Sequence, residues 1–379
     1  MRGVSPPGLL FLILGAGLLA APFMTLAANR IVAGQPFTIW ALALWPATAG
    51  LAGGLLLGLS RNAWPRLAGG LVGLGCLLWL LSFGAGALLA DAGQYARTSP
   101  ALGFWGLLAI FALLIADALT QLRPGPALRG ALLAAAVAGL AGVLWSGWLA
   151  DLSIAQEYAS RARPFWTACL RHLQLALGSL AVAVIIAFPL GILCHRQPGL
   201  RRLTLPLLSF LQTIPSLAMF GIMIPVLSWV AMTVPGAREA GIAGIGFAPA
   251  FVALVLYSLL PVVGNTVAAL DAVPPATAEA ARGMGLSNAQ RLWQVELPLG
   301  LPVLLAGVRI VMVQNIGLAV IAGLIGGGGF GSFVFQGLNQ TATDLILLGA
   351  LPTVAMALIA AIVMDILVDI ARPIPESAR

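Results

Sequence analysis

The sequence contains no lysine, so its 19 basic residues are all arginines, and with 12 acidic residues the charged side chains make up only 8% of the chain. Without lysine there can be no GxxxxGK[ST] phosphate loop, so any ATP chemistry tied to this protein belongs to another chain. Histidine is almost as scarce. His172 and His195 flank one apolar run at opposite ends and cannot share a metal through that helix. The three cysteines, Cys76, Cys169 and Cys194, lie in or beside apolar runs without metal-ligand or CxxC spacing, and read as packing residues. Asp365 and Asp369 stand one turn apart on a helical pattern, but no histidine or further acid lies near them in sequence to complete a catalytic pair. No catalytic residue and no metal site are expected.

What is present is apolar. Hydrophobic residues make up 60% of the 379, beside 45 glycines and 25 prolines, and the mean hydropathy is +1.03. No globule of this length has the interior to hide that much apolar surface, so the surroundings are membrane lipid. Length and hydropathy divide the chain into ten candidate spans, at residues 8–27, 39–59, 67–90, 101–120, 131–149, 172–194, 204–230, 246–270, 301–325 and 345–371. All are expected to be helices, because an isolated strand leaves its backbone unpaired in lipid. The first has the look of a signal peptide, with Arg2 ahead of it, but its length and the many later spans favour an uncleaved anchor. The expected fold is therefore an all-α integral membrane protein.

A pI near 10.6 would point to nucleic acid if the arginines were clustered, but they are spread singly, so no nucleic-acid partner is expected. With the N-terminus inside, the cytoplasmic segments hold Arg2, Arg61, Arg66, Arg123, Arg129, Arg196, Arg201, Arg202, Arg282, Arg291, Arg372 and Arg379. The outer loops hold Arg30, Arg97, Arg161, Arg163 and Arg238, while Arg171 and Arg309 fall within or at the edge of spans. Twelve against five places both termini in the cytoplasm.

Residues 1–160 read as an accessory region of five Leu-, Ala- and Gly-rich helices, ending at the polar stretch 151–164. Residues 161–379 read as a working core of five helices that carry polar and proline-bearing patches. Candidate lining groups of a solute pathway are Gln212, Thr213, Ser216, Tyr257, Asn265, Gln314 and Asn315, polar side chains set within apolar helices. Pro215 and Pro261 remove backbone donors in mid-span and can bend helices around such a path. Asp117 lies near Arg123 and reads as interfacial. GGGGFG at 326–331 satisfies GxGxxG, but it follows a membrane helix rather than a strand, which favours a flexible external turn over a nucleotide site.

The one polar interruption of the core is the loop 271–300. Pro274 and Pro275 suit a helix start, TAEAAR is helix-forming, Gly285 suits a left-handed stop, and Ser287 with Gln290 has capping-box spacing. The local reading is two short helices joined by a sharp turn, with the small side chains of Ala280 and Ala281 leaving a smooth face for a partner's cleft.

Glu279, Ala280 and Ala281, then Gly285, Val295, Leu297 and Pro298 match the EAA pattern position by position, and the loop resembles the coupling loop of ABC importer permeases. The wider core, with LQTIPSLAMFGIMIP, LVLYSLLPVVGNT and AGLIGGGGFGSFVFQGL, resembles the permeases of betaine, carnitine and choline uptake, and the extra N-terminal helices resemble the longer Yeh-type subtype. One departure is Gly264 before Asn265 and Thr266, where relatives often have an arginine.

The resemblance implies a type I ABC importer permease core in a bacterial inner membrane, moving glycine betaine or a related osmoprotectant. It also implies no cofactor on this chain, ATP and Mg on a cytoplasmic ATPase dimer, an extracytoplasmic substrate-binding protein with an aromatic cage, and a second permease chain. An importer for another small solute and an ion-coupled carrier stay open as alternatives, although no internal repeat favours the latter.

Overall fold

The computed structural model of the protein describes residues 4–30 and 32–372; Arg2 and Arg379, counted in the charge balance, lie outside the described residues. The chain divides into two compact units, one running to Ser160 and the other beginning at Arg161.

The first unit contains α1 (Pro6–Leu18), β1 (Pro22–Ala27), β2 (Gln35–Thr38), α2 (Trp45–Leu57), α3 (Ala63–Ala90), β3 (Arg97–Pro100), α4 (Leu102–Leu122), α5 (Pro126–Trp145) and α6 (Ser153–Ser160). The expected first span, 8–27, is thus a shorter helix followed by a strand. β1 takes the centre of an antiparallel sheet ordered β2-β1-β3, with Thr25 opposite both Pro36 and Ser99. Those neighbours satisfy the backbone groups that would otherwise forbid a strand, which hydropathy alone could not reveal.

Glycine lets α2 and α3 meet backbone to backbone. A Cβ on Gly54 would stand 2.6 Å from the Gly69 carbonyl oxygen, and a Cβ on Gly69 would stand 2.6 Å from that of Gly54. Phe23, Leu77, Phe104, Leu107 and Phe111 fill the core between these helices and the sheet. Where α3 begins and α4 ends, the fully buried Arg66 pairs with Asp117 and donates to the Ser5 hydroxyl at the start of α1. Asp117 therefore does not pair with Arg123, its neighbour in sequence. Its partner comes from the packed helix α3, and Arg123 instead closes α4 in a left-handed conformation.

The second unit contains α7 (Ala162–Leu173), continued through a π-turn at 174–178 into α8 (Ser179–Arg196), then α9 (Pro198–Thr213), α10 (Ser216–Thr233), α11 (Phe247–Asp271), α12 (Pro275–Gly283), α13 (Asn288–Arg291), α14 (Leu297–Leu318), α15 (Gly331–Asn339) and α16 (Thr343–Ala371). A second π-turn, 292–296, carries α13 into α14. The expected span 204–230 is broken at Ile214 and Pro215, since proline cannot continue the helix before it. The span expected at 301–325 ends at Leu318 and finishes in a short 3-10 turn. α11 is the central helix and packs against α8, α9, α10 and α14. Among the described residues of the whole chain, eight helical segments are long and apolar enough to cross a membrane, and α1 and α2 are shorter apolar helices.

Candidate functional site

The loop between α11 and α14 is built as its residues dictate. Pro275 opens α12 at a position where its missing N–H costs nothing. Gly285 closes α12 at φ +81°, a left-handed conformation that glycine adopts without strain. The Gly285 N–H donates to the Arg282 carbonyl at 2.9 Å and the Leu286 N–H to that of Ala281 at 3.2 Å, which together satisfy the last carbonyls of the helix. Immediately afterwards the Ser287 hydroxyl accepts from the Gln290 N–H at 3.3 Å, while the Gln290 side chain accepts from the Ser287 N–H at 2.9 Å. Two caps back to back make a rigid elbow.

Its surface differs in one respect from the expected smooth alanine face. Neighbours in a helix point about 100° apart, so Ala280 faces outward while Ala281 is buried on the inner side. Glu279, Gly285 and Pro298 are exposed, and Val295 and Leu297 half-buried. Two large apolar side chains that carry no part of the motif stand clear of the protein, Met284 at 74% exposure and Trp293 at 64%.

Polar ties anchor the elbow to the membrane helices. Asp271, the last residue of α11, accepts from Arg201 of α9 at 3.0 Å and meets Nδ1 of His195 of α8 at 2.7 Å. Arg196 donates to the Asn288 carbonyl at 3.2 Å, and inside the elbow Arg291 pairs with the buried Glu296 at 2.6 Å. The sequence reading missed all of these ties. Their one visible signal was the basic cluster at 195–202 in a chain otherwise poor in charge.

The seven pathway candidates occupy three places. Around the break between α9 and α10, the Gln212 amide donates to the Tyr257 carbonyl at 2.8 Å and the Tyr257 hydroxyl donates to the Ile214 carbonyl, which α9 leaves without a helical partner. Thr213 and Ser216 stand on either side of that break, Thr213 donating to the Phe210 carbonyl. Asn265 bonds the Pro261 carbonyl of its own helix and lies against Gly307, where a Cβ would approach its amide to 2.3 Å.

Asn315 is fully buried, which removes it from any lining surface in this conformation. Its amide donates to Ser179 of α8 and Ser258 of α11 at 3.0 and 2.9 Å, stitching three helices together. Gln314 beside it is half-buried. Gly264 looks onto open space.

The glycine-rich turn at 326–331 is tethered rather than loose. Gly326, Gly328 and Gly329 take positive φ, and the Phe330 N–H donates to Nδ1 of the buried His172, whose Nε2 meets the Ile316 carbonyl at 3.0 Å.

Comparison with known proteins covers both units. Residues 5–155 match the family described as the N-terminal domain of the ABC transporter permease YehY, and residues 181–373 match the binding-protein-dependent transport system inner membrane components. The osmoprotectant import permease protein OsmW of Salmonella typhimurium is 42% identical over 195 residues, which are 52% of this chain and 84% of that one. The carnitine transport permease protein OpuCB of Listeria monocytogenes is 38% identical over 189 residues, 50% of this chain and 79% of its own. A chain of the MetNI methionine ABC transporter in an inward-facing conformation superposes with a TM-score of 0.49 at 22% identity, over 56% of this chain and 99% of that chain.

Proposed function

From the premise that the chain belongs to the binding-protein-dependent transport system inner membrane components, we propose that it imports a quaternary-ammonium osmoprotectant of the betaine, carnitine and choline class, with the 271–300 elbow as the socket for a cytoplasmic ATPase. The observation that carries this reading is the elbow itself. Gly285, Ser287 and Gln290 lock its shape, and Asp271 and Asn288 tie it to the ends of α8, α9 and α11. A push on the elbow from ATPase closure then moves membrane helices instead of bending a loop. Glu279, Ala280, Gly285 and Pro298 present the outer face; Ala281, Val295 and Leu297 seat the elbow on the protein.

In this reading the elbow and the arginine-bearing ends of α8 and α9 lie in the cytoplasm with both termini, in keeping with the arginine excess on that side. Residues 1–160 form the accessory domain and 161–379 the core. ATP and Mg are held by the partner ATPase dimer, an extracytoplasmic binding protein delivers the solute, and a second permease chain completes the path. Gln212, Thr213, Ser216 and Tyr257 flank that path where α9 breaks into α10, with Asn265 on α11 and Gln314 on α14.

Uptake of labelled glycine betaine into vesicles holding the whole transporter tests the reading. Proline fixes φ near −65° and cannot take the +81° of Gly285. Gly285→Pro is therefore expected to abolish uptake while thermal unfolding of the purified chain stays close to wild type. Normal uptake by that variant would remove the elbow from the mechanism.

A further inference from the structure

Arg309 of α14 and Asp365 of α16 form an ion pair inside two membrane-spanning helices. α14 turns its buried stripe toward α11: Gly300 meets Ala269, Gly307 meets Asn265 and Asn315 meets Ser258. Arg309 follows Gly307 by two residues, about 200° of helical turn, and so faces away from α11. Asp365 lies six residues before the end of α16, about 9 Å along the helix, within the apolar span.

Neither side chain is buried by the protein, their exposures being 38% and 46%. Hydrocarbon is a poor environment for such groups, and charged side chains within spans face water-filled cavities or other protein. The pair is also incompletely used. One Nη1–Oδ1 contact joins the two residues, and among the described residues neither makes another hydrogen bond, leaving guanidinium donors and Oδ2 free.

We propose that Arg309 and Asp365 are a separate station for the solute, on the face of α14 turned away from α11 and so apart from Gln212, Tyr257 and Asn265, the arginine receiving a carboxylate and the aspartate facing a quaternary ammonium. The proposal rests on the osmoprotectant reading above, and it names the ligand class as a small zwitterion that carries a carboxylate and a quaternary ammonium. A carboxylate accepts from the free guanidinium edge, and a quaternary ammonium, which has no N–H to donate, needs only the field of the nearby carboxylate. Each charge of the pair finds its opposite in the solute, so a zwitterion exchanges one neutral arrangement for another and leaves no bare charge in the membrane. Choline carries the ammonium without the carboxylate and uses only half of the station.

The test is uptake of labelled glycine betaine and choline into vesicles holding the complete transporter with its binding protein. Arg309→Gln is expected to lower glycine betaine uptake about tenfold or more while choline changes about twofold or less, because only the first loses a charge-assisted bond. Arg309→Lys, which keeps the charge, is expected to recover part of the glycine betaine rate. Asp365→Asn is expected to lower both. The paired variant Arg309→Met with Asp365→Leu separates a station from a structural brace, since it keeps helix packing without a lone charge. Loss of glycine betaine uptake from this folded variant supports the station. Full uptake of both solutes by it, or equal loss of both from Arg309→Gln, overturns the proposal. If neither solute enters vesicles with the unmutated transporter, the osmoprotectant reading itself fails and the station falls with it.

Discussion

Arg66–Asp117 and Arg309–Asp365 are the same chemical pair placed under opposite conditions. In the first unit the guanidinium is wholly enclosed, shares Nη1 between Asp117 and Ser5, and joins the beginnings of α1 and α3 to the end of α4. In the second unit both charges stand half-open on the flank of α14 and α16, joined by a single contact. Removing one partner of a buried pair strands an enclosed charge, so Arg66–Asp117 holds its helices together even though, among the described residues, Nε and Nη2 of Arg66 are buried without a hydrogen-bond partner. A half-open pair inside a span adds little to stability, and its value lies in what comes to it.

The contrast is sharpest for removal of one partner. Asp117→Leu leaves Arg66 enclosed without a counter-charge and is expected to destabilise the first unit by about 3–5 kcal/mol. Adding Arg66→Met should recover most of that loss. Thermal unfolding in detergent measures both, and a single variant as stable as wild type would break the comparison. Next in size is Gly69→Val, which drives a side chain into the Gly54 carbonyl and is expected to cost about 1–3 kcal/mol in the same assay.

Smaller still is Asn315→Leu in the second unit. Ser179 and Ser258 keep their bonds to the carbonyls of Ala176 and Leu254, so the expected cost is about 1 kcal/mol. The smallest stability change, under about 1 kcal/mol, is expected for Arg309→Met with Asp365→Leu, the variant that should nonetheless lose glycine betaine uptake. A large stability loss there would make the two pairs alike.

What could be read from the sequence was local. Gly285, Ser287 and Gln290 announce the elbow because caps and turns depend on residues three to five apart, and apolar runs announce the helices of the core. The partners of Arg309, Asp117 and Asp271 were not legible, because each lies on another helix between 51 positions away, as with Arg66 and Asp117, and 76, as with His195 and Asp271. Nor was the sheet of the first unit, since β1 reads as the tail of an apolar span until β2 and β3 supply its hydrogen bonds. Asn315 shows the limit of composition: a polar residue in an apolar helix looks the same whether it lines a path or ties helices together. Met284 and Trp293 passed unnoticed because an exposed apolar side chain has no signature in sequence.

The central claim, that the elbow is the seat of an ATPase, is most directly tested at those two residues. Exposed large apolar side chains are the usual anchors of an interface, and Met284→Asp with Trp293→Asp removes both while keeping the Gly285 turn and the Ser287–Gln290 capping box. The measurement is purification of the chain from its own membrane in gentle detergent, with mass spectrometry of what accompanies it. The account predicts an ATPase subunit in proportion with the wild-type chain and its loss from the double variant, with unchanged thermal unfolding. An ATPase held equally by both chains, or by neither, would contradict it.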